Sequence, residues 1–420
     1  MSEQEQALDV YLRNRLVGRL RLDARRRFIF RYEGEWVMDP HATPLSLSLP
    51  LKTEPYTDDS ARPFFANLLP EGEIRRLIAQ RFGLSEKNDF ALLEQIGGEC
   101  AGAVSLLRQG ELPDESRNYE ELAEEELHRI ITELPRKPLL AGEKGIRLSL
   151  AGAQNKLPVF MEGDKVFIAG GNSPSTHILK PAIMNTNLRF SGFAGTVENE
   201  AFCMTLAGRV GLPVPAVFIR KQLDTLLVVE RYDRKRDLGG DILRLHQEDF
   251  CQALGILPDQ KYESEGGPKL SQCFLLLRDN STRPAADQRS LLSWVIFNAL
   301  IGNADAHAKN LAILYADKGP RLAPFYDLLC TQIYPDLAEK YAMKIGGENR
   351  PDWLQLRHWE RLADELSMKK RFVLDMIQRM TAMIVIEAEK LGGDFQREQG
   401  AKAIIEEILA LIRKRAGSIP

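Results

Sequence analysis

From about residue 146 onward, hydrophobic periodicity changes in one direction along the 420-residue chain: strands, one helix, more strands, then helices with a single embedded hairpin. A doubly wound sheet would alternate strands and helices throughout, so this order predicts a sheet lobe followed by a helical lobe. "KLPVFMEGDKVFIAGG" and "STHILKPA" read as strands, and "TVENEAFCMTLAGRVGLP" reads as a helix stopped by Gly211 and Pro213. "AVFIRKQLDTLLVVERYD" adds two strands. After about residue 246 the pattern is helical, apart from "NLAILYADKGPRLAPFYDLL", a hairpin expected to turn at Lys318–Gly319–Pro320.

Ahead of this region, "DVYLRNRLVGRLRL" alternates apolar and polar residues around a glycine turn. "RRFIFRYEGEW" and "PLSLSLPL" continue the strand-like alternation, and "FFANLLPEGEIRRLIAQRFGL" and "FALLEQIGG" are helical. The expected division is a small α+β domain over 1–110, an acidic helical connector over 111–145, a sheet lobe over 146–245 and a helical lobe over 246–420. The acidic run of the connector reads as a solvated face.

Composition narrows the function classes. A hydrophobic content of 44% and a charged content of 27% are those of a soluble globular chain. A net charge of -3 supplies no global attraction to nucleic acid or acidic membrane. No apolar run approaches a membrane span, and the polar start "MSEQEQALDV" is no signal peptide, so a cytoplasmic protein is expected. Cys100, Cys203, Cys251, Cys273 and Cys330 lie far apart without a C-x-x-C pair, which points to free thiols, each a small buried hydrophobe.

The chemistry concentrates after the apolar run "LLSWVIFNAL", in "IGNADAHAKN". Asp305 precedes Asn310 by the spacing of a protein-kinase catalytic loop, where the Asp accepts a hydroxyl proton and the Asn holds magnesium. That spacing alone is weak. It gains weight from "PFYDLL", which sets Asp327 at the end of the next hairpin, where a second magnesium carboxylate belongs. Asn310 and Asp327 are expected to face each other across the hairpin base. Taken singly, Asp305 is equally a loop or cap residue, and Asp327 an N-cap for a helix starting at Leu328.

Lys180, at the end of "STHILK", can reach nucleotide phosphates, with Glu198 or Glu200 of the following helix to pair with it. The plain alternative is an exposed strand edge. In "RLSLAGAQNKLPV", Ala151, Gly152 and Ala153 are small enough for backbone N–H groups to approach phosphate, and Ser149 beside them is a turn residue or a phosphorylation site. "LLVVERYDR" ends a strand at Glu230 and Tyr232, where a hinge would hydrogen-bond adenine. His307 and Lys309 are expected at phosphate; His246 is too distant in sequence to share a zinc with His307.

These residues resemble those of HipA-type serine/threonine protein kinases, the toxins of HipBA toxin–antitoxin modules. The resemblance rests on "SLAGAQNK", "THILKPA", "VENE", "LVVERYDR", "HQEDFCQALG", "KYESEGGP", "GNADAHAKN" and "PFYDLL", in family order. It implies a two-lobed, protein-kinase-like α+β fold that uses ATP and Mg2+. Asp305 is then the proton acceptor, Asn310 and Asp327 the metal ligands, and Lys180 the phosphate contact. The implied nucleotide site also takes in Ala151, Gly152, Ala153, Gln154, Asn155 and Lys156, then Glu230, Tyr232, His307, Lys309, Asn310, Tyr326 and Asp327. Ser149 matches the autophosphorylated serine whose modification pulls this loop from the nucleotide site. Implied partners are a HipB-type antitoxin, operator DNA reached mainly through it, and a protein of the translation machinery, an aminoacyl-tRNA synthetase in the best-known cases. The implied outcome is growth arrest and persistence. Basic clusters at Arg19–Arg27, Met368–Arg371 and Arg413–Arg415 are either operator contacts or solvated surface. A small-molecule kinase, or a non-catalytic module binding antitoxin and DNA, remains as an alternative reading of the same residues.

Overall fold

The computed structural model describes residues 6–114, 116–143, 147–183, 194–316 and 318–418. Its first domain is a four-stranded antiparallel sheet of β1 (Ala7–Leu12), β2 (Arg15–Leu22), β3 (Phe28–Tyr32) and β4 (Val104–Arg108), in the order β3-β2-β1-β4. Helices α1 (Gly34–Met38), α2 (Asp58–Ala66), α3 (Gly72–Arg81) and α4 (Asp89–Ile96) accompany it. Phe28, Phe30, Phe64 and Phe65 fill the core between sheet and helices.

Two local expectations change here. The first hairpin turns at Arg13 and Asn14, with Arg13 at φ 59°, and not at a glycine. Gly18 instead lies inside β2, where a Cβ would come within 2.6 Å of the Phe30 ring and of Arg31 O. "PLSLSLPL" forms no strand; only an isolated bridge joins Ser46 to Leu49. Its alternation arises because Leu45 and Leu49 are buried in the core while Ser46 and Leu47 turn their polar groups to Glu248.

The second lobe is a six-stranded sheet of β5 (Asn118–Glu121), β6 (Leu157–Glu162), β7 (Lys165–Gly170), β8 (His177–Pro181), β9 (Val217–Lys221) and β10 (Thr225–Glu230). Its order is β5-β7-β6-β8-β10-β9. The segment expected as a connector is built into this lobe, since it supplies both β5 and α5 (Glu124–Glu133). Leu127, Ile130 and Ile131 of α5 pack on Leu157, Val159, Leu179, Leu226 and Val228, so only the opposite face of that acidic helix is solvated. The other sheet face carries α6 (Thr196–Arg209), through Val197 and Ala201 against Leu227 and Val229. Period-two alternation thus assigns Leu179 to the α5 side and Lys180 to the α6 side.

A ribbon of β11 (Arg234–Arg236) and β12 (Ile242–Arg244) leads out of the sheet lobe. The third region is helical: α7 (Phe250–Leu254), α8 (Leu270–Asn280), α9 (Pro284–Ile301), α10 (Leu356–Glu365), α11 (Lys370–Gln399) and α12 (Lys402–Ser418). The embedded hairpin is β14 (Ala312–Ala316) and β15 (Gly319–Leu322), and β13 (His246–Asp249) adds a third strand to it. Gly319 already pairs with Ala316, so the hairpin reverses just before Gly319 and Pro320, which stand in β15. One large core, including Trp294, Phe297 and Trp359, holds these helices together. All five cysteines are buried. Among the described residues no helix is long and apolar enough to cross a membrane.

Candidate active site

α9 ends where Gly302 takes the left-handed conformation at φ 71°, its N–H closing on Asn298 O. The following loop then holds itself by hydrogen bonds. Asn303 Nδ2 donates to Asn298 Oδ1 at 2.8 Å, Asp305 N to Asn303 Oδ1 at 3.1 Å, and Ala304 N to Thr331 Oγ1 at 2.7 Å. Asn310 Nδ2 donates to Asp305 O at 3.1 Å, fixing the two motif residues to each other. The small residues in "GNADAHA" let these backbone approaches occur. The Asp305 side chain is half exposed, and its Oδ1 accepts the Tyr262 hydroxyl at 2.7 Å.

Lys180 is 7% exposed in an interior strand, which removes the exposed-edge reading. Its Nζ donates to Glu200 Oε1 at 2.7 Å and also to Asp327 Oδ1. Glu200 shares the sheet-facing side of α6 with Val197 and Ala201, at helical spacing, so it is the partner, and Glu198 is not. Burial alone would discharge Lys180, but the charges of Asp327 and Glu200 hold its pKa above the ordinary lysine value. Burial likewise opposes ionisation of Asp327, yet Lys180 and Lys156 keep its carboxyl well below the usual range. No helix begins at Leu328; Asp327 sits instead in the left-handed region at φ 56°. A non-glycine residue there is uncommon and marks a position whose surroundings over-determine it. Tyr326, next to it, ties this segment to the Asp305–Asn310 loop by donating its hydroxyl to Lys309 O at 2.7 Å.

The segment 151–156 lies close by. Gly152 adopts φ 106°, and a Cβ there would come within 2.8 Å of Lys156 Nζ. Lys156 donates to Ala151 O, and burial pushes its pKa down to about 8, against the pull of Asp327. Asn155 Oδ1 is buried without a hydrogen-bond partner. Ser149 just upstream is fully buried, its hydroxyl donating to Leu68 O of the first domain at 2.6 Å. Tyr232 stacks on Tyr326 with ring centroids 5.9 Å apart, while Glu230 is exposed at the end of β10.

The remaining loop residues divide. His307 is buried with Nδ1 unpartnered, and burial lowers its pKa, favouring the neutral ring. Lys309 turns into the first domain, donating to Asn67 Oδ1 at 2.6 Å and Asp249 Oδ2 at 2.8 Å. Its ammonium is a tie between domains. Sequence reading did not single out Tyr262, Asn67, Glu71 or Asp249; "KYESEGGP" and "HQEDF" carried two of them as motif residues without a role.

A sheet lobe with a buried Lys–Glu pair, facing a helical lobe with an Asp/Asn loop and a hairpin carboxylate, defines a two-lobed protein-kinase-like protein. The sequence matches the family model of the HipA-like C-terminal domain over residues 148–388 and that of the HipA N-terminal domain over residues 8–107. The chain therefore belongs to the HipA family. It is 32% identical over 393 residues to the serine/threonine-protein kinase toxin HipA of Shewanella oneidensis, covering 90% of this chain and 87% of the relative. It is 47% identical over 366 residues to Y4mE of Sinorhizobium fredii, with 85% of each chain covered. The structure superposes on that of Shewanella oneidensis HipA in complex with HipB and operator DNA with a TM-score of 0.83 at 29% identity, covering 98% of both chains.

Proposed function

We propose that the chain is an ATP- and magnesium-dependent serine/threonine protein kinase, the toxin of a toxin–antitoxin module. The observation that carries this reading is Lys180 clamped between Glu200 and Asp327, on the same side as the Asp305–Asn310 loop. The Lys–Glu pair fixes where phosphate oxygens are held, and Asp305 is the group left to accept the proton of a seryl hydroxyl. Residues 151–156 would cradle phosphates through backbone N–H groups, and Tyr232 and Tyr326 offer an aromatic wall for the base.

The oxygen donors at hand fit magnesium. Asp327 brings a carboxylate and Asn310 an amide oxygen whose nitrogen is already engaged on Asp305, an all-oxygen set that one or two protein ligands and phosphates complete. Asn310 and Asp327 would hold the ion, which supplies charge neutralisation at the β- and γ-phosphates.

The acceptor is a seryl or threonyl hydroxyl in a protein of the translation machinery, with an aminoacyl-tRNA synthetase as the leading class, and Ser149 of the chain itself. Modification of Ser149 requires its hydroxyl to leave Leu68 O, one of several ties of this segment to the first domain, beside Ser149 N on Glu99 O and Glu71 N on Gly152 O. A HipB-type antitoxin is the partner, by analogy with the Shewanella complex. Operator contact falls mainly to the antitoxin; in the basic clusters Arg19, Arg27, Arg413, Lys414 and Arg415 are paired with acids of this chain, while Arg25 and Arg26 stand exposed. Asp305→Gln is expected to bind ATP with wild-type affinity and to transfer no phosphate. Calorimetry with ATP beside transfer from γ-labelled ATP checks this, and transfer retained by the variant would remove Asp305 as the base.

A further inference from the structure

The loop Pro258–Gly267 reaches the Asp305 carboxylate through Tyr262. It is tightly folded: Gly267 N donates to Tyr262 O at 2.9 Å, and a Cβ on Gly267 would overlap Gln260 O. Three consecutive side chains then leave it in three directions. Lys261 Nζ donates to Glu71 Oε2 of the first domain at 2.7 Å. Tyr262 Oη donates to Asp305 Oδ1 at 2.7 Å. Glu263 Oε2 accepts from Lys344 N at 2.7 Å, while Glu263 N donates to Ala342 O at 3.0 Å. The tyrosine is therefore anchored on both sides, and its ring stands edge-on to His307 with centroids 5.4 Å apart.

The backbone of Asp305 is held by Asn303, by Asn310 and by His307, whose N–H donates to Asp305 O at 2.9 Å. Among the hydrogen bonds described, the one that restrains its carboxylate comes from Tyr262. A half-exposed carboxylate without that bond would rotate freely between rotamers. An acceptor hydroxyl must meet it in one orientation, and small misplacements cost large factors in rate.

We propose that Tyr262 is a positioning residue for phosphoryl transfer: its hydroxyl fixes one carboxylate oxygen of Asp305 and so aims the other at the acceptor hydroxyl. The first domain takes part, because Glu71 anchors Lys261 beside the tyrosine while its own N–H holds Gly152 O of the phosphate loop at 3.2 Å. Glu71 thus joins the nucleotide side of the site to the acceptor side. This inference rests on the kinase reading.

The test uses the full chain with γ-labelled ATP and magnesium, dephosphorylated casein and the chain's own Ser149 serving as acceptors. Tyr262→Phe keeps the ring against His307 and removes only the hydroxyl. Its kcat is expected to fall about tenfold, the scale of a lost hydrogen bond to a charged group, with the KM for ATP and the melting temperature unchanged. Lys261→Met, which frees the anchor without touching Asp305, is expected to lower kcat in the same sense by a smaller factor. A folded Tyr262→Phe with wild-type kcat overturns the proposal, as does a raised kcat, which would make the tyrosine a plug, or a loss confined to ATP affinity. Absence of transfer in the wild type would instead remove the kinase reading, and this inference with it.

Discussion

Lys180 is where one side chain gathers the two lobes: its ammonium meets Glu200 from the sheet lobe's helix and Asp327 from the helical lobe's hairpin. Breaking a buried pair by removing one partner leaves an uncompensated charge and typically costs about 3–5 kcal/mol. The site is thus held in place by the same charges that the proposed function assigns to phosphate and metal. Gly152 is constrained as tightly by shape. With φ at 106°, which L side chains rarely adopt, any other residue strains the loop, and the Lys156 ammonium 2.8 Å from where a Cβ would stand must also move aside. Gly152→Ala is expected to cost on the order of 1–3 kcal/mol, read as a lower melting temperature with weakened ATP binding. Titration calorimetry on the folded variant checks this, and unchanged affinity would separate the loop from the nucleotide.

Among elements, β13 does more than extend the hairpin sheet. Glu248 on it is buried, accepting from Leu47 N at 2.9 Å, from Tyr315 Oη at 2.6 Å and from Ser46 Oγ, so the strand latches the first domain onto the third. Burial pushes its carboxyl up to about 7, against the hydrogen bonds it accepts. The folded state therefore keeps a proton that the unfolded chain has lost above about pH 4.5. Stability from this group falls as pH rises from there toward 7, by a ceiling of about 3 kcal/mol, and then levels. Glu248→Gln mimics the protonated form and is expected to gain on the wild type at pH 8 relative to pH 5, in denaturant midpoints at the two pH values. An equal difference at both would contradict it. The same element scale shows what the sequence could reveal. β10 reads as the unbroken apolar run Leu226–Val229 because both of its faces are covered, and helical spacing on α6 distinguishes Glu200 from Glu198. "PLSLSLPL" misleads because Ser46 is satisfied by Glu248 and Ser48 by Gln252 O, about two hundred positions away in sequence, which no local pattern records.

Across the whole molecule, the first domain is built into the kinase-like core. Besides the Lys309 tie to Asn67 and the cover over Ser149, Glu99 accepts from Arg234 at 2.8 Å and from Ser175 Oγ at 3.0 Å. Asp233, close by, takes both Arg231 and the Gly102 N–H. This buried network joins the first domain to the exit of β10, beside the expected hinge. The candidate site residues stand out in the sequence because their spacing carries chemistry: Asp305 to Asn310, then a hairpin to Asp327. Their supports do not, because Asn67, Glu71 and Tyr262 act across chain separations that only the fold closes. The direct test of the central claim is the intact mass of the purified chain after incubation with ATP and magnesium. A gain of one phosphate, mapped to Ser149 and abolished in Asp305→Gln, is the predicted result. An unchanged mass in a preparation that binds ATP would contradict it.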